Sequence, residues 1–244
     1  MDSSIIRAKI RLFVEQPLGQ GQGIALSQAH AHYLANVLRK GTGTQVALFN
    51  SRDGEWLAEI TEIGRRGALA ICLGQAAPQR MPPDLWLVFA PIKKARTDFI
   101  VEKATELGAA RILPVQTEFT NSERIRQDRL QAHAIEAAEQ CGGTYVPEVA
   151  ALKPLTRVLQ DWPEGRALIW ADESLADAGK PPALPPAPAA ILIGPEGGFS
   201  PTERAKLRAT SGVHSMSLGP RILRADTAAV AALTLWQAQQ GDWP

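Results

Sequence analysis

Two glycine-bearing loops near the end of the chain constrain the fold most strongly. The first reads Ile-Leu-Ile-Gly-Pro-Glu-Gly-Gly-Phe-Ser over residues 191–200, and the second reads Leu-Gly-Pro-Arg-Ile-Leu-Arg-Ala-Asp-Thr-Ala over residues 218–228. Each loop follows a short apolar run and leads towards a helix. Because glycine has no Cβ, its backbone turns sharply and approaches a ligand closely. Two such loops in one domain predict a small-molecule site built largely from main-chain atoms.

The glycine spacing does not match the common phosphate-binding motifs. No Gly-Lys-Ser/Thr sequence closes either loop, which excludes a P-loop. The spacing of Gly194, Gly197 and Gly198 is not the dinucleotide fingerprint, and it lies too late in the chain for a first βα turn. A single cluster of this kind would indicate only a tight strand-to-helix turn. The nearby second loop, with Gly219, favours ligand binding.

Composition and charge indicate a globular protein without a strong overall electrostatic field. The 244 residues are 45% hydrophobic and allow one large domain or two small ones, and the formal net charge is +1. Local basic clusters are each typical of a solvated surface; they comprise Arg7, Lys9 and Arg11, then Arg39 and Lys40, then Lys93, Lys94 and Arg96. Charge alone therefore does not predict that this protein binds nucleic acid.

The cysteine pattern and the lack of long apolar runs indicate which metal sites and cellular compartment to expect. Cys72 and Cys141 are the two cysteines, and they have no metal-ligand spacing. We therefore expect no bound metal. No signal-peptide pattern and no membrane-spanning run is present, which predicts a cytoplasmic protein with no membrane partner.

The first part of the chain is predicted to be strand-rich. Short β-prone segments lie at residues 11–14, 45–49, 55–60 and 68–73, with a hairpin turn at 50–54 that ends in Asp-Gly. One helix is expected at about residues 28–39, with Ser27 as its N-cap. A linker rich in glycine and proline follows at residues 74–84. The simplest architecture is a small β-barrel with one helix, over residues 1–76.

The second part, residues 82–244, has an α/β pattern. Buried strands are predicted at residues 85–90, 111–115, 167–171, 190–193 and 213–218, and helical stretches between them favour a parallel sheet. Ile100, Lys103, Ala104 and Leu107 have helical spacing. Ser200 and Glu203 predict a capping box that starts a helix directly after the first glycine loop. Residues 180–188 are rich in proline and predict a surface loop.

Both loops resemble the signature of a known enzyme family. IGPEGGFSPTE followed by LGPRILRADTA is similar to the 16S ribosomal RNA uridine-N3 methyltransferases, the small-subunit methyltransferase E family. Segments at residues 32–39, 98–108, 136–140 and 146–148 resemble other parts of that family, so the likeness extends over nearly the whole chain. The resemblance implies a PUA-like RNA-binding barrel, followed by an α/β methyltransferase domain with a trefoil knot.

The resemblance also implies a cofactor and its binding residues. The family uses S-adenosylmethionine, and both loops wrap its adenine and ribose. The positions that match here are Ile193, Gly194, Glu196, Gly197, Gly198, Leu218, Gly219, Ile222 and Leu223. For Glu196, a contact with the donor and a role in capping the next helix remain equal alternatives. The apolar residues of the second loop also suit core packing.

Arg224 is the candidate catalytic residue. From the residues alone Arg224 suits a surface salt bridge, but with the resemblance we expect this cation at the exit of the second loop to steer an RNA phosphate or to stabilise a deprotonating base. Arg221 is a weaker candidate. The resemblance also implies a homodimer that acts on uridine 1498 (standard numbering) of 16S rRNA in the small ribosomal subunit. Phe119 and Gly143 depart from the family, where arginine is common, which indicates a different docking of RNA.

Two other interpretations remain open from the residues. One is a knotted methyltransferase that acts on another base or on a ribose 2′-OH. The other is a non-catalytic assembly factor that binds RNA through its barrel. Donor binding separates the second from both enzymes, and the position of the methylated nucleotide separates the enzymes from each other.

Overall fold

The computed structural model of the chain describes residues 8–121, 125–176 and 183–243. These residues form two compact units. The first unit comprises the described residues up to Met81 together with Ala138–Val146, and the second comprises the described residues of Pro82–Ala137 and those from Pro147 onward. The sequence predicted that Ala138–Val146 belongs to the second domain, whereas the structure assigns this segment to the first unit. Part of the proline-rich loop predicted at 180–188 lies outside the described residues.

The first unit is built on a five-stranded sheet. Its elements are β1 (Arg11–Phe13), β2 (Gly23–Leu26), α1 (Gln28–His32), β3 (Gln45–Phe49), β4 (Glu55–Gly64) and β5 (Gly67–Ala77). The strand order is β1-β3-β4-β5-β2, in which β1 and β3 are parallel and the other pairs are antiparallel. Three register shifts between β4 and β5 bend and twist these long strands. The four predicted strands are confirmed, whereas β2 was missed because glycine and alanine are weak strand formers.

The helix and the turn of the first unit follow local sequence signals. Ser27 accepts a hydrogen bond from the His30 amide at 3.1 Å, as its predicted role as N-cap requires. The helix then continues into a π-helical turn, Tyr33–Val37. In the hairpin turn, the Asn50 side chain accepts bonds from the amides of Arg52 and Asp53, and Gly54 has a φ of +78°. The predicted hairpin is confirmed.

Arg11 was predicted to belong to a solvated basic cluster, and this prediction is wrong. The Arg11 side chain is only 11% exposed and pairs with Glu55 at 2.7 Å. Its guanidinium also donates to the carbonyl oxygens of Ala138 and Gly143, at 2.6 and 2.7 Å. A long-range segment of the first unit surrounds this cation, and no local pattern indicates such a contact.

The second unit alternates strands and helices along the chain. Its elements are β6 (Leu85–Phe89), α2 (Lys94–Glu106), β7 (Arg111–Gln116), α3 (Gln127–Cys141, whose last residues belong to the first unit), β8 (Glu148–Val149), β9 (Lys153–Pro154), α4 (Leu155–Gln160), β10 (Ala167–Ala171), β11 (Ala189–Ile193), α5 (Pro201–Ala209), β12 (Val213–Met216) and α6 (Ala225–Gln240). The five predicted strands are confirmed. The two-residue strands β8 and β9 were too short to be recognised.

The sheet of the second unit is parallel, in the order β12-β10-β11-β6-β7-β8, with β9 paired to β7. The chain moves from β6 towards β7 on one side and from β11 towards β12 on the other. The loops that leave β6 and β11 therefore diverge. In open α/β sheets, ligands bind outside the carboxyl ends of the strands, near such a switch point.

Buried aromatic and aliphatic side chains hold the sheet against its helices. One core cluster joins Val88, Leu168 and Trp170 of the strands to Leu207 of α5. On α6, Gln237 donates a 2.7 Å hydrogen bond to the carbonyl of Leu107, which stabilises the carboxyl end of α2. No helix among the described residues is long and apolar enough to span a bilayer.

Candidate functional site

A cavity of about 220 Å³ lies at the carboxyl ends of β10, β11 and β12. Its wall contains every residue that the sequence predicted for cofactor binding: Ile193, Gly194, Glu196, Gly197, Gly198, Leu218, Gly219, Ile222 and Leu223. The fold thus brings both glycine loops to a single cavity.

Strand register explains why the two loops meet. β10 pairs with both β11 and β12, with Trp170 opposite Leu192 and Ala171 opposite Met216. The three strands therefore end at the same level of the sheet. Because parallel strands release their loops at one edge, the segments after β10, β11 and β12 surround a common space.

The first loop needs glycine for steric reasons. A Cβ on Gly194 would lie 2.8 Å from Cε2 of Phe199. The Phe199 ring is buried and packs edge-on against Trp170, with centroids 5.7 Å apart, so it has little room to move. At Gly198 the requirement is conformational, since its φ is +67°. The loop is therefore shaped by its own packing.

The helix after the first loop begins with the predicted capping box. Ser200 Oγ accepts from the Glu203 amide at 3.3 Å, and Glu203 accepts from the Ser200 amide at 3.0 Å. Pro201 occupies the start of α5. Since Ser200 and Glu203 already form this cap, the exposed Glu196 is not needed for it and lies on the cavity wall instead.

The second loop is much more open. A Cβ on Gly219 would meet no atom within 4 Å, yet the φ of this residue is +95°. Glycine is needed here for its backbone conformation rather than for space. Ile222 is 80% exposed, although it is a large apolar residue. The loop thus presents apolar surface at the cavity without covering it.

Arg221 and Arg224 take different places in the second loop. Arg221 is exposed and lies on the cavity wall. Arg224 is also exposed but is not among the lining residues; it is the N-cap of α6 and forms no side-chain cap bond. Asp226, in the first turn of α6, is paired with Arg96 of α2. Arg224 therefore stands at the exit of the loop, as predicted, outside the cavity itself.

An acidic segment after β10 was missed by the sequence analysis. Asp172 and Glu173 line the cavity, and the Asp172 side chain is only 1% exposed. Asp172 accepts from the Ser174 amide at 3.0 Å and pairs with Arg204 at 2.8 Å, and Arg204 also pairs with Glu173. The signal was present, because Asp172 and Glu173 directly follow the strand predicted at residues 167–171. Among the described residues, no group of three or more His, Cys, Asp or Glu could hold a metal ion.

Family comparisons agree with this architecture. A family model described as an RNA methyltransferase domain matches residues 79–237, and one described as an RNA methyltransferase PUA domain matches residues 26–72. These matches confirm the predicted fold class of a PUA-like domain followed by an α/β methyltransferase domain.

Individual relatives cover nearly the whole chain. The ribosomal RNA small subunit methyltransferase E of Rickettsia conorii is 31% identical over 91% of this chain and 93% of its own length. The crystal structure of the Neisseria gonorrhoeae enzyme of that name, bound to S-adenosyl methionine, has a TM-score of 0.86 at 28% identity and covers 96% of this chain and 99% of its own. A Legionella pneumophila methyltransferase in complex with the same cofactor has a TM-score of 0.83 at 31% identity, with 96% and 98% covered. The chain therefore belongs to the ribosomal RNA small subunit methyltransferase E family.

Proposed function

We propose that this protein transfers a methyl group from S-adenosylmethionine to N3 of a single uridine of 16S rRNA, uridine 1498 in standard numbering, within the small ribosomal subunit. The observation that carries the proposal is the convergence of all nine predicted cofactor residues on one cavity. The relatives named above support it through their printed names and, in the Neisseria and Legionella structures, through their bound cofactor.

The residues of the cavity suit this cofactor. Gly194, Gly197 and Gly198 have no side chains, so the amides and carbonyls of the first loop can approach the adenine and ribose edges closely. Leu218, Ile222 and Leu223 offer apolar surface to the adenine ring, which explains the exposure of Ile222. The carboxylate of Glu196 is an acceptor for ribose hydroxyls or a partner for a cationic group.

The chemistry divides between the cofactor and the protein. S-adenosylmethionine supplies an electrophilic methyl group. Uracil N3 carries a proton and becomes a good nucleophile only when this proton is lost, with solvent water as the proposed acceptor. Arg224 stabilises the negative charge that develops on the base, and the two loops hold the reactants in line. Alignment of this kind contributes roughly 7–11 kcal/mol to catalysis.

The finer parts of the proposal concern assembly and substrate form. The protein acts in the cytoplasm as a homodimer, and its second domain is knotted. Residues 1–76 bind RNA, whereas residues 82–244 bind the cofactor and carry out the transfer. A formal net charge of +1 argues against tight binding to any free RNA, since such affinity comes from many phosphate contacts. The substrate is therefore a folded ribonucleoprotein surface that is recognised by shape.

Methylation mapping tests the proposal directly. Small subunits from a strain that lacks this protein are incubated with purified protein and labelled S-adenosylmethionine, and the modified nucleotide is located. We expect one N3-methyluridine at the proposed position. Modification of another base or of a 2′-OH would replace the proposed target. No donor binding by calorimetry, together with no transfer, would leave only the role of a non-catalytic RNA-binding factor.

A further inference from the structure

We infer that Phe119 is a stacking platform for an unpaired base of the RNA substrate, beside the cofactor cavity. The inference rests on the proposed function, because it concerns the RNA that would be methylated. Single exposed apolar residues are ordinary on protein surfaces. What distinguishes Phe119 is the combination of its exposure, the rigidity of its turn and its contact with the first glycine loop.

Phe119 touches the wall of the candidate cofactor cavity. The Cβ of Phe119 lies 3.1 Å from the position that a Cβ on Gly197 would take, and Gly197 lines the cavity. The side chain of Phe119 nevertheless remains 40% exposed. An aromatic ring thus faces solvent directly beside the place where the reaction is proposed to occur.

The turn that carries Phe119 is fixed on both sides. Thr117 and Thr120 are buried, and their hydroxyl groups lie 2.8 Å apart, within hydrogen-bond distance. The amide of Glu118 donates at 2.9 Å to Glu203, the same carboxylate that closes the capping box of α5. Because one carboxylate holds both the turn and α5, the backbone that carries the exposed ring loses little further entropy on binding.

The charges around Phe119 match a nucleotide. Exposed carboxylates lie next to it in Glu118 and, on the neighbouring loop, Glu196. They disfavour a phosphate at the ring and can accept hydrogen bonds from the N–H groups of a base. Exposed cations lie at the edge of the same sheet, in Lys93 and Lys94 after β6. The Ala90 amide donates to the Ile193 carbonyl at 3.0 Å, so the segment that leads from β6 to these lysines leaves the sheet beside the first glycine loop.

An RNA strand at this switch point would match both the exposed aromatic ring and the nearby lysines. Sequence-specific RNA recognition commonly targets unpaired bases that stack on aromatic side chains. The base would lie on Phe119, and the backbone phosphates would lie towards Lys93 and Lys94 at the start of α2. The crevice between the loops of β6 and β11 then holds the RNA, while the adjoining cavity between β10, β11 and β12 holds the cofactor.

Three variants of the full-length protein test the role of the ring. Phe119→Leu keeps an apolar side chain over Gly197 but removes the aromatic face, and Phe119→Trp restores one. Phe99→Leu is a matched control, since Phe99 is 39% exposed on α2 of the same unit. Equilibrium binding to unmethylated small subunits is measured with S-adenosylhomocysteine present, and donor affinity is measured separately by calorimetry.

We expect Phe119→Leu to weaken subunit binding roughly 5- to 150-fold, the usual range for loss of one base–aromatic stack. Phe119→Trp and Phe99→Leu should bind subunits like the wild type, and donor affinity should be unchanged throughout. If Phe119→Leu weakens donor binding alone, the ring only supports the glycine loop and the inference fails. A changed sedimentation coefficient with unchanged subunit affinity would assign Phe119 to a contact between two copies and would also overturn it. A wild-type protein that binds subunits but methylates none would contradict the proposed function instead.

Discussion

The two glycine loops reach the same cavity, but they are held in different ways. The first is shaped by buried neighbours, and its helix begins with the reciprocal bonds of Ser200 and Glu203. The second has open space around Gly219 and an exposed Ile222, and its helix begins at Arg224 without a side-chain cap. A cation at a helix N-terminus also opposes the helix dipole. The first loop is thus fixed by its own packing, whereas the second is open, and we propose that this openness serves ligand binding.

The largest expected effect is a loss of methyl-transfer rate on substitution of Arg224, which should differ from the rest of its loop by leaving donor affinity unchanged. Arg224→Ala should lower the single-turnover methyl-transfer rate roughly 10²- to 10³-fold, the range for loss of one electrostatic stabiliser of a transition state. Donor affinity should be unchanged, because Arg224 lies outside the cavity wall. Arg221→Ala is the control and should change donor affinity rather than rate. An unchanged rate for Arg224→Ala would leave Arg224 as a surface charge.

Replacing one glycine in each loop by alanine should distinguish a requirement for space from a requirement for backbone conformation. Gly194→Ala drives a Cβ into the buried Phe199 ring and should lower the free energy of unfolding by about 1–3 kcal/mol, as overpacking does. Gly219→Ala meets no atom within 4 Å, but alanine is strained at the φ of +95°, and the open loop should release part of this strain by changing its backbone conformation. It should therefore cost less stability than Gly194→Ala while weakening donor binding. Equal losses of stability in both variants would contradict the contrast between the loops.

The exposed isoleucine gives a smaller test of the open loop. Ile222→Ser should weaken donor binding about 5- to 10-fold, because covering part of such a side chain contributes about 1 kcal/mol or slightly more. Stability should not change, since Ile222 is already 80% exposed in the free protein. Val37→Ser, at a 60% exposed position of the first unit, is the control and should alter neither quantity. Unaltered donor affinity in Ile222→Ser would remove Ile222 from the binding site.

Exchanging the helix starts should give the smallest effects, with opposite signs. Ser200→Ala removes the cap of α5 and should cost about 1 kcal/mol of unfolding free energy. Arg224→Ser supplies α6 with the kind of cap that it lacks and should stabilise the protein by a similar amount, about 1 kcal/mol. Chemical denaturation measures both changes, and Arg224→Ser should still lose methyl transfer. If Arg224→Ser is less stable than the wild type, the wild-type arginine stabilises the fold. The idea that α6 lacks a cap because function requires arginine there would then be wrong.

Much of the fold was predictable where short-range interactions decide it. The capping box at Ser200 and Glu203, the hairpin turn with Asn50 and Gly54, and the N-cap at Ser27 all depend on bonds between residues a few positions apart. The strands β6 and β11 were recognised because their apolar runs are buried on both faces of a parallel sheet. The glycine loops were recognised in the same local way.

Other features depend on neighbours that are distant in sequence. Arg11 was expected at a solvated surface, but carbonyl groups from Ala138 and Gly143 surround it. Asp172 became part of the cavity wall because β10 lies between β11 and β12. Nothing adjacent to Phe119 indicates that it contacts Gly197. Sheet order and register decide these contacts.

The sequence by itself determined the turns, helix starts and glycine-rich segments of this protein, since each is stabilised by bonds and steric limits within a few residues, and its apolar runs predicted most of the strands. The tertiary structure alone decided which of these segments share a cavity, which arginines are buried and which aromatic ring faces solvent beside the glycine loop. The physical reason is that such properties follow from strand order and long-range packing, and many residues distributed over the chain contribute to them jointly.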